Sequence, residues 1–278
     1  MARAENKETA SPTAKLVADV AKNARMRKKL TQEQLGKEIG FSAAAVSAME
    51  TCAQPASDEM LVGLERVLGD GMGVFEQARL YMRMEAYPPQ FKSHAPLEQA
   101  APSLNLYSIH VVHGLFQTED YARALIGGGY PPLSEQRVEQ LVEARVLRKA
   151  LFDRDPLPMI ELILEESALT RVIGSAAIMK AQMRQLAEYA RRRNVTLHVL
   201  ALDCGKFGEY AGDRGGMTLV ETPQHDRLVY LEPQDESLLI SDPGKVSTYA
   251  QRYAKIRSQA MGPRESLDLI EQLAGVEE

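Results

Sequence analysis

Apolar residues in the first third of the chain recur at helical spacing in short blocks. Leu16, Val20 and Ala24 follow one another at intervals of four residues, which predicts a first helix from about residue 13 to residue 30. Four more short helices are predicted in this region, and glycines between them mark helix ends. The predicted apolar faces consist of Leu16, Val17, Val20, Ala21 and Ala24 in the first helix, Leu35 and Ile39 in the second, Ala45 or Val46 with Met49 in the third, and Leu61, Leu64 and Leu68 in the fourth. A fifth helix is predicted near residues 74–85.

Short polar residues and one glycine mark the ends of the second and third of these helices. Thr31 and Ser42 are good N-cap residues, because their hydroxyls can accept hydrogen bonds from the free amides of a first turn. Gly40 lies between the two helices and can adopt the left-handed conformation that ends a helix. Two short helices joined by such a turn have the layout of a helix-turn-helix, whose second helix presents its N-terminal end to the major groove of DNA.

Beyond residue 86 the pattern changes, and the chain is predicted to be multidomain. Residues 1–12 are predicted to be a disordered leader and residues 13–86 an all-α five-helix domain. Residues 87–102 contain four prolines and are predicted to be an ordered linker or boundary. Residues 103–278 are predicted to form an α/β (α+β) domain with a mixed sheet. Its predicted strands are at residues 104–112, 159–165, 195–202, 217–221 and 228–232. Its predicted helices are at residues 118–126, 134–152, 176–193, 243–260 and 263–273.

Composition excludes several classes of protein. The chain has 278 residues, of which 45% are apolar and 26% charged, as in an ordinary globular protein. It has no run of about 18 apolar residues and no secretory signal, so we expect no membrane span and a cytoplasmic, nucleoid-associated protein. The two cysteines, Cys52 and Cys204, are too few for a disulfide framework or a four-thiolate zinc site.

Positive charge is concentrated in one short segment of an acidic chain. The net charge is −5, yet the segment from Lys15 to Lys37 holds seven Lys and Arg residues against Asp19 and Glu33. A basic stripe on an otherwise acidic protein suits a surface that faces the phosphates of double-stranded DNA. The residues predicted to contact phosphates are Arg25, Lys28, Lys29, Gln32 and Lys37.

The third predicted helix is the one expected to enter the major groove. Its recognition residues are predicted to be Ser42, Ala43, Ala44, Ser47 and Ala48. The three alanines carry only methyl groups, which can touch thymine methyls but cannot form hydrogen bonds with base edges. We therefore expect weak base discrimination by one domain alone, and a homodimer that reads two half-sites.

These residues together resemble the lambda-repressor-like, Xre-type helix-turn-helix domain. The resemblance implies a five-helix DNA-binding fold and a role in transcription regulation. The chain departs from that family at Ala43, Ala44 and Ala48, where hydrogen-bonding side chains are common, and at Cys52, where glycine is usual. The match is carried by Thr31-Gln32-Glu33-Gln34-Leu35, Ile39-Gly40, Ser42, Val46-Ser47 and Glu50.

A second resemblance covers the C-terminal part of the chain. Residues 114–126 (GLFQTEDYARALI) look like the hallmark of a large actinobacterial regulator family, in which an Xre-type domain precedes a domain of unknown function. His113 stands where that family usually has proline. The resemblance implies an antitoxin-like or developmental, sporulation-associated regulator that pairs with a small protein encoded by a neighbouring gene. Further matching segments are residues 137–145, 165–169 and 266–270.

The sequence offers no convincing set of residues for catalysis or for metal binding. His110 and His113 lie near a predicted strand end, on opposite faces and with no third ligand nearby. Glu165 and Glu166 are adjacent at another strand end, and the sequence assigns them no partner acid. We therefore expect no enzyme activity, no metal and no cofactor.

The leading hypothesis is a sequence-specific DNA-binding transcriptional regulator that acts as a repressor. Its C-terminal domain is expected to sense a small partner protein or an effector. Two alternatives stay open: an antitoxin-like interaction scaffold with weak DNA binding, and an enzyme that its N-terminal domain tethers to DNA. The basic segment argues against the scaffold, and the missing catalytic set argues more weakly against the enzyme.

Overall fold

The computed structural model divides the chain into two compact units, Met1–Ala86 and Tyr87–Glu278. It describes residues 11–85, 94–206, 208–234 and 236–275. The predicted fold class is confirmed, because the described part of the first unit is helical and the second unit combines helices with a mixed six-stranded sheet. In the part of the chain that the structure describes, no helix is long and apolar enough to cross a membrane.

Five helices form the described part of the first unit. Four of them begin at a capping residue, since the side chains of Ser11, Thr31, Ser42 and Ser57 each accept a hydrogen bond from an amide of the first turn. The helices are α1 (Pro12–Arg27), α2 (Gln32–Ile39), α3 (Ala43–Glu50), α4 (Asp58–Leu68) and α5 (Val74–Glu85).

The buried face of α1 agrees only in part with the predicted apolar pattern. Ala14, Val17, Ala18 and Ala21 face the core, at spacings of three and four residues. Leu16, predicted to belong to the apolar stripe, is 62% exposed. The buried stripe consists mainly of alanine, so the apolar pattern alone does not determine which side of α1 packs.

Both segments predicted to flank the first domain contain helical residues. Ser11 caps α1 and Pro12 begins it, so the helix starts inside the predicted leader 1–12, while residues 1–10 lie outside the described residues. The predicted linker 87–102 contains a helix, α6 (Ala95–Ala100), which is anchored by the buried Glu98; residues 87–93 again lie outside the described part. Pro96 stands in the first turn of α6, where proline is tolerated because its missing amide hydrogen has no helical acceptor there.

The second unit is built on a six-stranded sheet. Its strands are β1 (Ser103–Ser108), β2 (Met159–Glu165), β3 (Val195–Leu200), β4 (Met217–Glu221), β5 (Arg227–Leu231) and β6 (Leu238–Ile240). Their order in the sheet is β3-β2-β1-β4-β5-β6. The pairs β1–β2 and β2–β3 are parallel, and the other three pairs are antiparallel. Leu106 of β1 is aligned with Leu162 of β2 on one side and with Thr218 of β4 on the other.

Helices cover both faces of this sheet. The helices of the second unit that follow α6 are α7 (Glu119–Gly127), α8 (Glu135–Leu147), α9 (Glu166–Thr170), α10 (Ala176–Ala190), α11 (Pro243–Gln259) and α12 (Pro263–Ala274). Leu104 and Leu106 of β1 pack in a core that includes residues of α10 and α12. Tyr107, which points the other way, packs in a second core with residues of α11.

Several elements of this unit differ in length from the predicted ones. β1 ends at Ser108 rather than near residue 112, because its ladders with β2 and β4 end at Leu164 and Met217. The helix predicted to reach residue 152 ends at Leu147 and continues as a 3-10 turn, Arg148–Asp153. β6 and α9 were not predicted, since three and five residues are too few to show a period.

Candidate functional site

Capping hydrogen bonds determine the geometry of the α2–turn–α3 segment. Thr31 Oγ1 accepts a hydrogen bond from the Gln34 amide at 3.1 Å, and Gln34 Oε1 accepts one from the Thr31 amide at 2.8 Å, which makes a capping box. Gly40 ends α2 with a φ of 80°, a left-handed conformation that glycine adopts without strain. Ser42 Oγ then accepts a hydrogen bond from the Ala45 amide at 3.1 Å, at the start of α3. The predicted caps and turn of a helix-turn-helix are therefore present.

The turn packs directly on the backbone of α2 at Gly36. A β-carbon placed on Gly36 would lie 2.6 Å from the carbonyl oxygen of Phe41 and 3.2 Å from the carbonyl carbon of Ser42. Non-bonded carbon and oxygen atoms do not approach this closely, so any larger residue must push the turn away. Glycine at this position therefore allows α3 to lie close to α2.

Replacing Gly36 by alanine is expected to displace α3 relative to α2 and so to weaken DNA binding. Overpacking of this kind costs about 1–3 kcal/mol of stability. Thermal unfolding and fluorescence anisotropy with duplex DNA would measure the two effects. Gly40→Asn is the matched control, because no atom lies within 4 Å of a β-carbon at Gly40 and asparagine tolerates its conformation. Wild-type DNA affinity in Gly36→Ala would contradict this prediction.

A buried ion pair ties α1, α2 and α3 together. Arg25 donates two hydrogen bonds to the Glu50 carboxylate, at 2.6 and 2.9 Å, and Gln32 donates a third at 2.8 Å. The side chains of Arg25 and Glu50 are only 12% and 2% exposed. Burial alone would raise the pKa of Glu50, but the hydrogen bonds from Arg25 and Gln32 outweigh burial and lower it below the usual value. Glu50 is therefore a carboxylate at neutral pH.

Three of the five predicted phosphate-binding residues make contacts within the first unit, and their role at phosphates stays a prediction. Arg25 is committed to Glu50 and to the carbonyl oxygen of Leu30 at 2.7 Å, and the side-chain amide of Gln32 is committed to Glu50. Lys28 pairs with Asp70 at 2.6 Å and donates to a backbone carbonyl of α4. The pair between Lys28 and Asp70 is solvent-exposed, so a phosphate can compete with Asp70 for this lysine, whereas Arg25 has a structural role.

The remaining predicted phosphate contacts, Lys29 and Lys37, are exposed at the surface. Within the described ranges of the chain neither lysine forms an ion pair. Lys22 and Arg27, which the sequence analysis counted only as part of the basic segment, have the same two properties. Lys15 has them too, so five of the seven cations between Lys15 and Lys37 make no direct contact with a carboxylate in the described part of the chain.

The N-terminal turn of α3 is open to solvent. Ser42, Ala43 and Ala44 are exposed, and Ser47 and Ala48 are half-buried. The hydroxyl of Ser42 is used as the helix cap, so the exposed surface of this turn consists largely of methyl groups and backbone. The recognition residues are thus placed where a groove could be reached, with little capacity for side-chain hydrogen bonds to bases.

The second unit contains a buried ion pair. The carboxylate of Glu98 in α6 is fully buried and accepts two hydrogen bonds from Arg148, at 2.8 and 2.6 Å. Burial alone would raise the pKa of Glu98, but the charge and hydrogen bonds of Arg148 lower it below the usual value. The pair is bidentate, the geometry in which a guanidinium best satisfies a carboxylate.

The structure shows the surroundings of the acidic residues and histidines that the sequence analysis considered for catalysis and metal binding. Glu165 Oε1 accepts hydrogen bonds from the hydroxyls of Tyr107 and Tyr210, at 2.5 and 2.8 Å, so tyrosines surround it rather than a second acid. His110 and His113 lie beyond the end of β1 instead of within a strand, and both line a cleft there. Among the residues that the structure describes, no group of three or more His, Cys, Asp or Glu could hold a metal ion.

The fold and contacts of the first unit define a helix-turn-helix protein, the class of regulator that binds DNA. The family described as Helix-turn-helix (HTH_3) matches residues 22–69. The family described as Domain of unknown function (DUF5753) matches residues 91–272, more than half of the chain, and the chain belongs to this family. No curated protein and no solved structure shows significant similarity to the chain. The expected combination of an Xre-like domain with a domain of unknown function is confirmed; an antitoxin-like or sporulation-associated role stays a prediction.

Proposed function

We propose that this DNA-binding regulator is a transcriptional repressor that acts as a homodimer. The observation that carries the proposal is the exposed N-terminal turn of α3, held in place by the caps at Thr31 and Ser42 and by the ion pair beneath it. The exposed Lys29 and Lys37 supply positive charge on the same unit. A protein that lays such a helix across a promoter blocks access to that DNA, which is the simplest way to repress.

The homodimer follows from the chemistry of the recognition residues. Ala43, Ala44 and Ala48 offer methyl contacts only, so one copy discriminates poorly between base sequences. Two copies on half-sites about one helical turn apart would multiply this weak preference. If one monomeric unit selects a single sharp motif from random duplex DNA, the argument for a dimer fails.

Sequencing the DNA that copurifies with the protein from its host would identify the operator. Transcription in vitro from a promoter that contains this operator then tests the direction of regulation. We expect added protein to reduce the transcript, and a helix-turn-helix variant that has lost DNA binding to leave it unchanged. An increase in transcript would show an activator.

Phosphate contacts should appear in the salt dependence of DNA binding. Each neutralised phosphate contributes about 0.9 to the slope of log affinity against log salt, so Lys29→Ala with Lys37→Ala is expected to lower that slope by about 1.8. Fluorescence anisotropy at several salt concentrations measures it. Lys245→Ala is the matched control, an exposed lysine of the second unit, and should leave the slope unchanged. An unchanged slope in the double variant would show that these lysines do not contact the phosphates.

We propose that the second unit works by binding rather than by catalysis, and that it recognises an effector or a small protein encoded by a neighbouring gene. Support comes from two buried acids of this unit, whose carboxylates already have hydrogen-bond donors. Arg148 donates to Glu98, and two tyrosines donate to Glu165. The neighbouring gene product should co-elute with the full-length protein and with residues 87–278, but not with residues 1–86. Turnover of a substrate by residues 87–278 would refute the non-catalytic role.

A further inference from the structure

A cleft of about 370 Å³ lies in the second unit, where the chain leaves the carboxyl end of β1. Residues 107–114 line it, together with residues of α7, α8, the start of β4 and β5. A volume of this size matches the lower range of pockets that hold small molecules. The lining is divided between an apolar wall and a polar end.

The apolar wall belongs to α7 and α8. Leu125 and Ile126 in the last turns of α7 and Leu141 of α8 line the cleft, and all three are only half-buried. Branched aliphatic side chains left accessible inside a concave surface gain stability when an apolar group covers them. This wall therefore fits an aliphatic or aromatic portion of a ligand.

Arg145 occupies the polar end. Its Nη1 donates a hydrogen bond to Gln117 Oε1 at 2.7 Å, and Gln117 is itself held by donating to the Val112 carbonyl oxygen at 2.6 Å. Burial, reinforced by the charge of nearby Arg148, lowers the pKa of Arg145 to about 10, so the guanidinium still carries its charge at neutral pH. Among the ion pairs of the described residues none involves Arg145, and its hydrogen-bond partner is a neutral amide.

The other charged and titratable side chains discussed in and next to the cleft do not substitute for a ligand of Arg145. Arg148 and Glu98 neutralise each other in their bidentate pair. His94 and His113 are neutral at pH 7, because burial lowers their pKa values to about 4 and about 3. Glu232 attracts Arg145 but is solvent-exposed, so water and salt screen its charge.

Gly114 keeps the polar end open. A β-carbon at this position would lie 3.1 Å from Arg148 Nη1 and 3.7 Å from Arg145 Nε, so a side chain would fill the space in front of both guanidinium groups. The glycine thus leaves room for a small polar group to reach Arg145. A carboxylate suits that room, since it pairs with guanidinium through two parallel hydrogen bonds.

We propose that this cleft binds a small ligand in which a carboxylate adjoins an apolar group, with the carboxylate on Arg145 and the apolar group on Leu125, Ile126 and Leu141. The carboxylate can belong to a free organic acid or to the carboxyl terminus of a peptide, because both present the same chemistry. The site deepens the effector role proposed above, and its regulatory consequence rests on that role. The site itself stands on the cleft alone.

Calorimetry with the full-length protein tests the site with paired probes. Octanoate and phenylacetate are compared with octanamide and phenylacetamide, and a tetrapeptide ending in leucine is compared with its C-terminal amide. We expect at least one carboxylate to bind about tenfold more tightly than its amide, as a charge-assisted hydrogen bond provides. If octanoate or phenylacetate binds more tightly than the peptide, the natural ligand is a free organic acid. If the peptide binds more tightly, the natural ligand is the carboxyl terminus of a peptide or protein.

Variants at Arg145 show whether the preference arises in the cleft. Arg145→Met should abolish the preference for carboxylate over amide, and Arg145→Lys should retain part of it, which separates a role in binding from a role in folding. Arg137→Met is the matched control, since Arg137 lies on the same helix and outside the cleft, and it should bind like wild type.

Three outcomes decide the proposal. Equal binding of carboxylates and amides, or no binding of any probe, would overturn the site. A preference that survives in Arg145→Met would also overturn it. A preference that Arg145→Met removes supports the site whether or not the bound probe changes DNA affinity; an unchanged DNA affinity would then contradict only the effector role.

Discussion

Replacing Glu50 by alanine is expected to lower the stability of the first unit by about 3 kcal/mol. The substitution leaves the guanidinium of Arg25 almost buried, with the carbonyl oxygen of Leu30 as its remaining acceptor among the contacts described. An uncompensated buried charge is far more costly than the loss of an exposed ion pair. DNA binding should fall as well, since the same carboxylate also holds Gln32 at the start of α2.

Hydrogen exchange resolved by peptide measures this loss unit by unit. Amides of α1, α2 and α3 in Glu50→Ala should exchange roughly a hundredfold faster than in wild type, as 3 kcal/mol corresponds to about two factors of ten. Strands β1 and β2 of the second unit serve as the internal control and should not change. The double variant Arg25→Met with Glu50→Leu should recover most of the protection, because no unpaired charge remains. Wild-type exchange in Glu50→Ala would show that the ion pair is dispensable.

The same ion pair makes the stability of the first unit depend on pH. The folded pKa of Glu50 lies below its unfolded value of about 4.3, so its stabilising contribution is fully present above about pH 4.3. It is lost as the pH falls through the lower, folded pKa, where Glu50 becomes protonated. The protection of α1 amides against exchange, relative to an unfolded chain at the same pH, should fall in wild type as the pH is lowered from 6. Glu50→Ala should lack this fall.

Local signals in the sequence were sufficient to predict most of the first unit. The caps at Thr31 and Ser42 and the turn at Gly40 depend on neighbours within three or four residues, so the pattern alone reveals them. The ion pair of Arg25 could not be predicted, because a cation carries no local sign of its partner. Its partner, Glu50, lies 25 residues away, and only the fold brings the two together.

In the second unit, the features that the sequence did not predict also depend on contacts between residues distant in sequence. The central strands are long and apolar enough to be recognised, whereas the three-residue edge strand β6 is visible only through its pairing with β5. The cleft could not be predicted, because residues from β1, α7, α8 and β5 meet there across large sequence separations. The helix α6 within the predicted linker could not be recognised, since Pro96 can begin a helix as well as interrupt one.

Replacing Ala44 by glutamate is expected to weaken DNA binding by at least about a hundredfold, because a carboxylate in the first turn of α3 would face the phosphates, and such like-charge contacts cost several kcal/mol. The fold itself should be unharmed. Ala44 is exposed, glutamate is a good helix former, and a negative charge near a helix N-terminus is favourable.

Because Ala44→Glu should weaken DNA binding without harming the fold, it is a specific test of the interface. Ala181→Glu is the matched control, since it adds the same charge to an exposed alanine within α10 of the second unit. Ala44→Gln adds hydrogen-bonding groups without charge, and we expect it to increase the preference for adenine at one position of each half-site. Anisotropy titrations at constant salt, with unfolding curves for each variant, provide the measurement. An Ala44→Glu protein with wild-type affinity would show that DNA is bound by a surface other than the first turn of α3.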